Sequence, residues 1–144
     1  MAIAVRLMDV EKSFKYQHRQ HGKLKQDSPL NEVTLLVLFY AVECGAKAAY
    51  AKKEKVGKRC WLDKKYTTDV KHDLNKIFKK LGIGLTIPFV QSTASEKSSA
   101  TISSQDLHQA WRYGRPLVDN GQKAVAEKLI EALGMVSELL KEMK

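Results

Sequence analysis

The sequence predicts an all-α fold, an antiparallel bundle of four to five helices. Three observations carry that expectation. Val125, Leu129, Leu133, Val136, Leu140 and Met143 recur at steps of four, four, three, four and three, which keeps them on one helical stripe. The stretch Pro29–Lys53 is rich in Ala, Leu, Glu and Lys, with Gly45 its one breaker. Its middle is apolar on every side, as in the central helix of a bundle. No segment makes a convincing sheet. Leu35–Val42 has the branched and aromatic residues of a strand, but the length of the surrounding pattern favours helix.

Taken in order, residues 1–20 predict a weak helix, with Ile3, Leu7, Val10 and Phe14 at three- and four-residue steps. Residues 19–28 are polar and basic and read as a connection. Ser28 before Pro29 is a favourable cap and first-turn pairing for the central helix. Residues 54–68 predict a Lys-rich loop. Asp69 can cap a second helix over Val70–Leu81, with Leu74, Ile77, Phe78 and Leu81 buried. Lys79 and Lys80 suit the dipole of its last turn. Gly82 then Ile83 predicts a left-handed stop followed by a hydrophobe. Leu85–Val90 is a short apolar piece broken by Pro88. Residues 92–104 hold six Ser and two Thr, a composition that cannot pack and predicts a mobile loop. Ser103 with Asp106 forms a capping pattern for a third helix with Leu107, Ala110, Trp111, Gly114 and Leu117 inward. Pro116 would kink or shorten it. Asn120–Gly121 signals a turn before the last helix, which runs to about Glu142. There is no internal repeat, and residues 1–144 read as a single domain.

With 144 residues, 44% apolar and 28% charged, the chain can bury a core. This excludes a disordered chain, a collagen-like repeat and a disulfide-dense mini-protein. Cys44 and Cys60 have no CxxC or Cys/His spacing, so both read as reduced thiols of a cytoplasmic protein. The start lacks a signal-peptide pattern, because Arg6 and Asp9 cut its apolar run. The longest apolar run, Leu35–Val42, falls short of the roughly 18 residues of a membrane span, so no membrane is expected.

The formal net charge of +9 lies wholly in residues 1–80. A surplus on one half of a chain predicts a surface that meets something acidic. RNA or DNA is the first expectation; an acidic protein partner, an anionic membrane surface and a solvated face with no partner are the others. Lys47–Lys80 holds 12 basic and 4 acidic residues, with Trp61 and Tyr66 interleaved. Its Lys52, Lys53, Lys55, Lys58, Arg59, Lys64 and Lys65 can meet phosphates, and exposed rings can stack on unpaired bases. The alternative is a solvated Lys-rich face with Trp61 tucked into the core. Lys12–Lys25 adds five basic residues and no acid.

Three groups can carry chemistry. His108, Arg112 and Arg115 fall at i, i+4 and i+7, with Tyr113 beside them, so they share one face of the third helix. Arg supplies a permanent forked charge for phosphate, and His moves protons near neutral pH. That face is either solvated or a cleft floor. Glu43 follows eight apolar residues, so it is expected to be partly buried and in need of a partner. Lys47 at i+4 can serve, which makes a structural pair; alternatively Glu43 orients a functional Arg. His72, in the expected first turn of the second helix, is either structural or a neutral general base. No metal site is expected: His18 and His21 have no third ligand, and HExxH, P-loop, GxGxxG and GxSxG patterns are absent. No cofactor is expected.

The runs FYAVECGAKAAYAKK (39–53), HDLNKIFKKLG (72–82) and LHQAWRYGRPL (107–117) together resemble the HEPN domain superfamily. The likeness covers residues of about 30–142. It implies an all-α bundle of four or five helices, often a homodimer. Many members are metal-independent ribonucleases of toxin–antitoxin, abortive-infection and CRISPR systems; others are binding subunits beside nucleotidyltransferases. Position by position, Glu43 and Lys47 resemble the family's polar pair on the long central helix. His72 resembles its His at the start of the short second helix. Arg112 resembles the Arg of its Arg-Tyr signature. The ribonucleases carry a His four to six residues after an Arg, and no His follows Arg112 or Arg115 here. The resemblance therefore leaves open RNA binding alone, metal-free cleavage, or a non-catalytic bundle docked on a nucleotidyltransferase or defence effector. For cleavage it implies attack by an RNA 2′-OH on its own phosphodiester. Arg112 would stabilise the phosphorane-like charge, His72 or His108 would move the proton, and Glu43 would hold Arg112. In such nucleases two sites meet across a dimer cleft.

Overall fold

The computed structural model describes residues 5–67, 69–70, 72–88, 90–91, 101–103, 106–113, 117 and 119–143. Among these the chain is mostly helical, with five α-helices: α1 (Leu7–Asp27), α2 (Glu32–Lys53), α3 (Leu74–Leu81), α4 (Leu107–Arg112) and α5 (Asp119–Glu142). Ile3, Gly114, Arg115, Pro116 and most of the Ser-rich stretch (92–100 and Ser104) lie outside the described residues.

Among the described residues the first helix begins only at Leu7, not at the start of the expected 1–20 span, and it runs on to Asp27. Asp9, at its third position, accepts from the Arg6 N–H at 3.0 Å and so covers a donor that has no partner within the helix. The next donors are met from across the chain: Leu7 N–H donates to the Cys60 carbonyl and Met8 N–H to that of Lys58. The helix then continues through residues 19–27, which the sequence reading takes for a connection. Lys, Gln and Arg are good helix formers, and His21, seven residues after Phe14, continues the buried stripe.

Ser28 ends α1 rather than capping α2, its N–H donating to the Leu24 carbonyl. The cap of α2 is Asn31, whose side chain accepts from Val33 N–H at 2.8 Å. Buried residues occur all round α2, from Leu35 and Leu38 to Ala49 and Ala51. It has the length and hydropathy of a membrane-crossing helix, yet 67% of that stretch is buried inside the fold. Its apolar surface therefore meets protein. Gly45 lets α1 and α5 approach closely, since a Cβ there would lie 2.6 Å from Val136 and 2.7 Å from Phe14.

The loop after α2 contains a 3₁₀ turn, Lys64–Tyr66. The next helix starts four residues later than expected, because Asp73 rather than Asp69 caps it, accepting from Lys76 N–H at 3.2 Å. Its stop is as expected: Gly82 is left-handed at φ 74°, and Ile83 N–H donates to the Phe78 carbonyl. Ile83, Leu85 and Ile87 then alternate inward along an extended segment. The Asn75 amide fixes that segment by bonding both the N–H and the carbonyl of Ile87, at 2.7 and 3.1 Å.

Two short strands, β1 (Val90–Gln91) and β2 (Thr101–Ile102), pair antiparallel. Thr101 and Ile102 are thus ordered by pairing, although they fall in the stretch expected to be a mobile loop. Ser103 does contact Asp106, side chain to side chain at 3.1 Å, but α4 begins only at Leu107 and spans six residues. Asn120 and Gly121 lie inside α5 rather than in a turn. Gly121 there faces Val90 of β1, where an added Cβ would stand 3.1 Å from the Val90 side chain. Val125, Leu129, Leu133 and Val136 of α5 close the core with Leu7, Val10 and Phe14 of α1.

Candidate functional site

Tyr40, Glu43 and Lys47 share one face of α2, at i, i+3 and i+7. Glu43 is buried, with 8% of its side chain exposed. A carboxylate that loses water needs charge or hydrogen-bond partners. It has two: Lys47 Nζ at 3.9 Å and His72 Nδ1 at 2.6 Å from the same oxygen. His72 sits in the turn just before the Asp73 cap, not in the first turn of the helix. Its side chain is 42% exposed, so one ring nitrogen is tied to a buried carboxylate while the ring still meets solvent.

The second wall comes from α4. His108 is buried, its ring stacked at 5.7 Å on Phe39 of α2 and 3.9 Å, centroid to centroid, from His72. The expected solvated or cleft-floor histidine is therefore a packed one that backs His72. One turn on, Arg112 is exposed, and its guanidinium donates to the Tyr40 hydroxyl. That bond, with a second to Tyr113, raises the Arg112 pKa further above its ordinary value, so the charge is permanent. Tyr113 is exposed. Arg115 lies outside the described residues.

The expectation that Glu43 holds Arg112 is corrected here. Glu43 engages His72 and Lys47, and Tyr40 holds Arg112. Tyr40 is the residue that sequence reasoning missed. Its signal was its place three residues before Glu43 on the same helix face. Among the described residues, no three His, Cys, Asp or Glu side chains gather to hold a metal ion.

The basic tract divides. Lys47 pairs with Glu43, and Lys52 is largely buried against Glu11 at 3.2 Å. Lys53 donates to the Lys80 carbonyl at 2.9 Å, at the end of α3. Lys65 is bound to Glu54, which also accepts from Tyr66 at 2.8 Å and whose own pKa falls in consequence. These four charges serve the fold. Lys55, Lys58, Arg59 and Lys64 are exposed. Trp61 is not in the core: it is 62% exposed, with the Arg6 guanidinium 5.5 Å over its ring.

Chemically, a carboxylate on Nδ1 places the proton there and leaves Nε2 of His72 to accept another. An exposed, oriented imidazole suits proton transfer at a phosphate, and the guanidinium that Tyr40 holds suits its charge. Compared with protein-family models, characterised proteins and solved structures, the chain finds no match.

Proposed function

We propose that this chain is an HEPN-like RNA-associated protein of a prokaryotic defence or toxin–antitoxin system. On this reading it acts in the cytoplasm as a homodimer of antiparallel bundles, and it cleaves RNA without a metal. The observation that carries the reading is the 2.6 Å bond between His72 Nδ1 and buried Glu43, with Arg112 tied to Tyr40 three residues before Glu43 on the same helix. Nε2 of His72 takes the proton of an RNA 2′-OH. That oxygen bonds to the adjacent phosphorus, the bond to the 5′ oxygen breaks, and the 5′ oxygen takes a proton from water as it leaves, the His72 imidazolium returning its own proton to the hydroxide left behind. Arg112 compensates the charge gathered on the phosphoryl oxygens. Lys55, Lys58, Arg59 and Lys64 draw the polyanion in, and Trp61 and Tyr113 offer faces for unpaired bases. A recess of about 400 Å³ beside Tyr113, with Asp106 and Gln109 on its wall, offers hydrogen-bond partners to one such base.

The test is incubation of structured RNA with the protein in EDTA, wild type beside Arg112→Ala and His72→Ala. Cleavage that falls about 10²-fold or more in each variant, with folding intact, supports the reading. Absence of wild-type cleavage overturns the nuclease. Absence of salt-dependent RNA binding as well overturns the RNA partner.

A further inference from the structure

A cleft of about 780 Å³ opens far from His72, between α1, the last turn of α2, the turn at residues 55–58 and the end of α5. Lys52, on its wall, is nine residues along α2 from Glu43, roughly 13 Å at 1.5 Å per residue. The volume suits a small organic molecule. Its lining is of two kinds. Leu7, Phe14, Val56, Leu140 and Met143 are apolar. Lys15, Lys55 and Lys58 bring positive charge, while Lys141, also on the wall, pairs with Glu138 at 3.6 Å. The acid on the wall, Glu11, pairs its Oε2 with Lys52 at 3.2 Å, while its buried Oε1 has no hydrogen-bond partner among the described residues; Lys15, Lys55 and Lys58 still exceed that one acid.

Lys55 makes the arrangement notable. It is left-handed, at φ 62°, where α2 ends. Val56 N–H donates to the Ala51 carbonyl and Lys55 N–H to that of Lys52. This double bond pattern is a helix stop that favours glycine at its left-handed position. The chain places a long cation there, at a conformational cost that glycine avoids.

We propose that this cleft binds an anionic amphiphile, a small molecule with an aliphatic body and a phosphate or carboxylate head. The body lies on Val56, Leu140 and Met143, and the head meets Lys55 and Lys58. Charge complementarity selects the head: a neutral head leaves the lysines uncompensated, and a cationic one is repelled. The cleft shares Lys55 and Lys58 with the surface proposed to draw RNA in, and titrations made without RNA test it separately from that reading.

The full chain is titrated calorimetrically with octyl phosphate below its micellar concentration. Octanoate, octanol and inorganic phosphate are titrated in parallel. Saturable binding of octyl phosphate or octanoate, about tenfold or more tighter than of octanol and of phosphate, supports the proposal. The tighter of the two names the head group. Shortening the chain weakens binding about fourfold per buried methylene lost. Lys55→Gly keeps the fold, since glycine suits the position, and weakens the anion about tenfold; Leu140→Gln weakens it as well. No saturable binding of either anion, equal affinity for octanol, or unchanged affinity in Lys55→Gly overturns the proposal.

Discussion

Replacing Gly45 by alanine tests how tightly the bundle is built. The new Cβ would stand 2.6 Å from Val136 Cγ1, and 2.7 and 2.8 Å from two ring carbons of Phe14. Carbon atoms in contact prefer about 3.5–4.0 Å. The neighbours belong to two different helices, and neither a valine nor a buried phenylalanine yields easily. Overpacking of this kind costs about 1–3 kcal/mol, and the double clash argues for the upper half. Alanine returns about 1 kcal/mol through its better helix propensity. The net loss is then about 1–2 kcal/mol, or roughly 3–8 °C in melting temperature for a domain of this size. Gly134 is the control. It lies in α5 with nothing within 4 Å of an added Cβ, so Gly134→Ala should gain about 0.5–1 kcal/mol. Urea denaturation followed by circular dichroism reads both. A Gly45→Ala protein as stable as wild type would refute the close three-helix contact.

Other consequences can be measured as simply. Lys55→Gly should stabilise the chain by about 1 kcal/mol, by removing left-handed strain, read as a higher urea midpoint. Burial lowers the His21 pKa from 6.5, with Lys25 and His18 adding repulsion. The unfolded chain therefore binds the proton first, and stability is lost as pH falls from about 6.5 toward the folded value. Melting curves from pH 7.5 to 5 should show a slope that His21→Leu reduces. Burial pushes the Cys44 thiol up while Cys60 is exposed, so a thiol reagent at pH 8 should label Cys60 quickly and Cys44 only after unfolding. Glu43→Gln should lower RNA cleavage about 10²-fold and change its pH profile, because the imidazole loses the carboxylate that sets its tautomer. An unchanged profile would count against that role.

What the sequence made legible was whatever rests on local repetition. The Val125–Val136 stripe and the Gly82 stop depend on neighbours a few residues away, and both are present in the fold. Choices between competing local signals were less legible. Ser28 and Asn31 are both good caps, and only the packing of α2 selects Asn31. Asn120–Gly121 carries a turn signature, but a helical Gly121 accommodates Val90 of β1, a distant contact. At the site, residue types were readable and partners were not. Glu43 and His72 are 29 positions apart, and nothing local distinguishes His72 from Arg112 as the group facing the carboxylate. Many lysines that read as a ligand surface are spent on the fold, because a charge count does not show which ammonium groups find carbonyls or carboxylates.

The clasp between the start of α1 and the loop at residues 58–62 has its own dynamic consequence. Leu7 and Met8 donate into the loop, and Leu62 N–H donates back to the Val5 carbonyl at 2.8 Å, while Arg6 covers Trp61. These amides sit on segments some fifty residues apart, yet none of the bonds survives if either segment lifts away. Hydrogen exchange should therefore find Leu7, Met8 and Leu62 opening together, with one common free energy, as a single cooperative unit. The exposed Arg59 and Trp61 ride on that unit. Their orientation is fixed from the start of α1 rather than by the loop alone, and a ligand that gripped them would slow exchange at the beginning of α1.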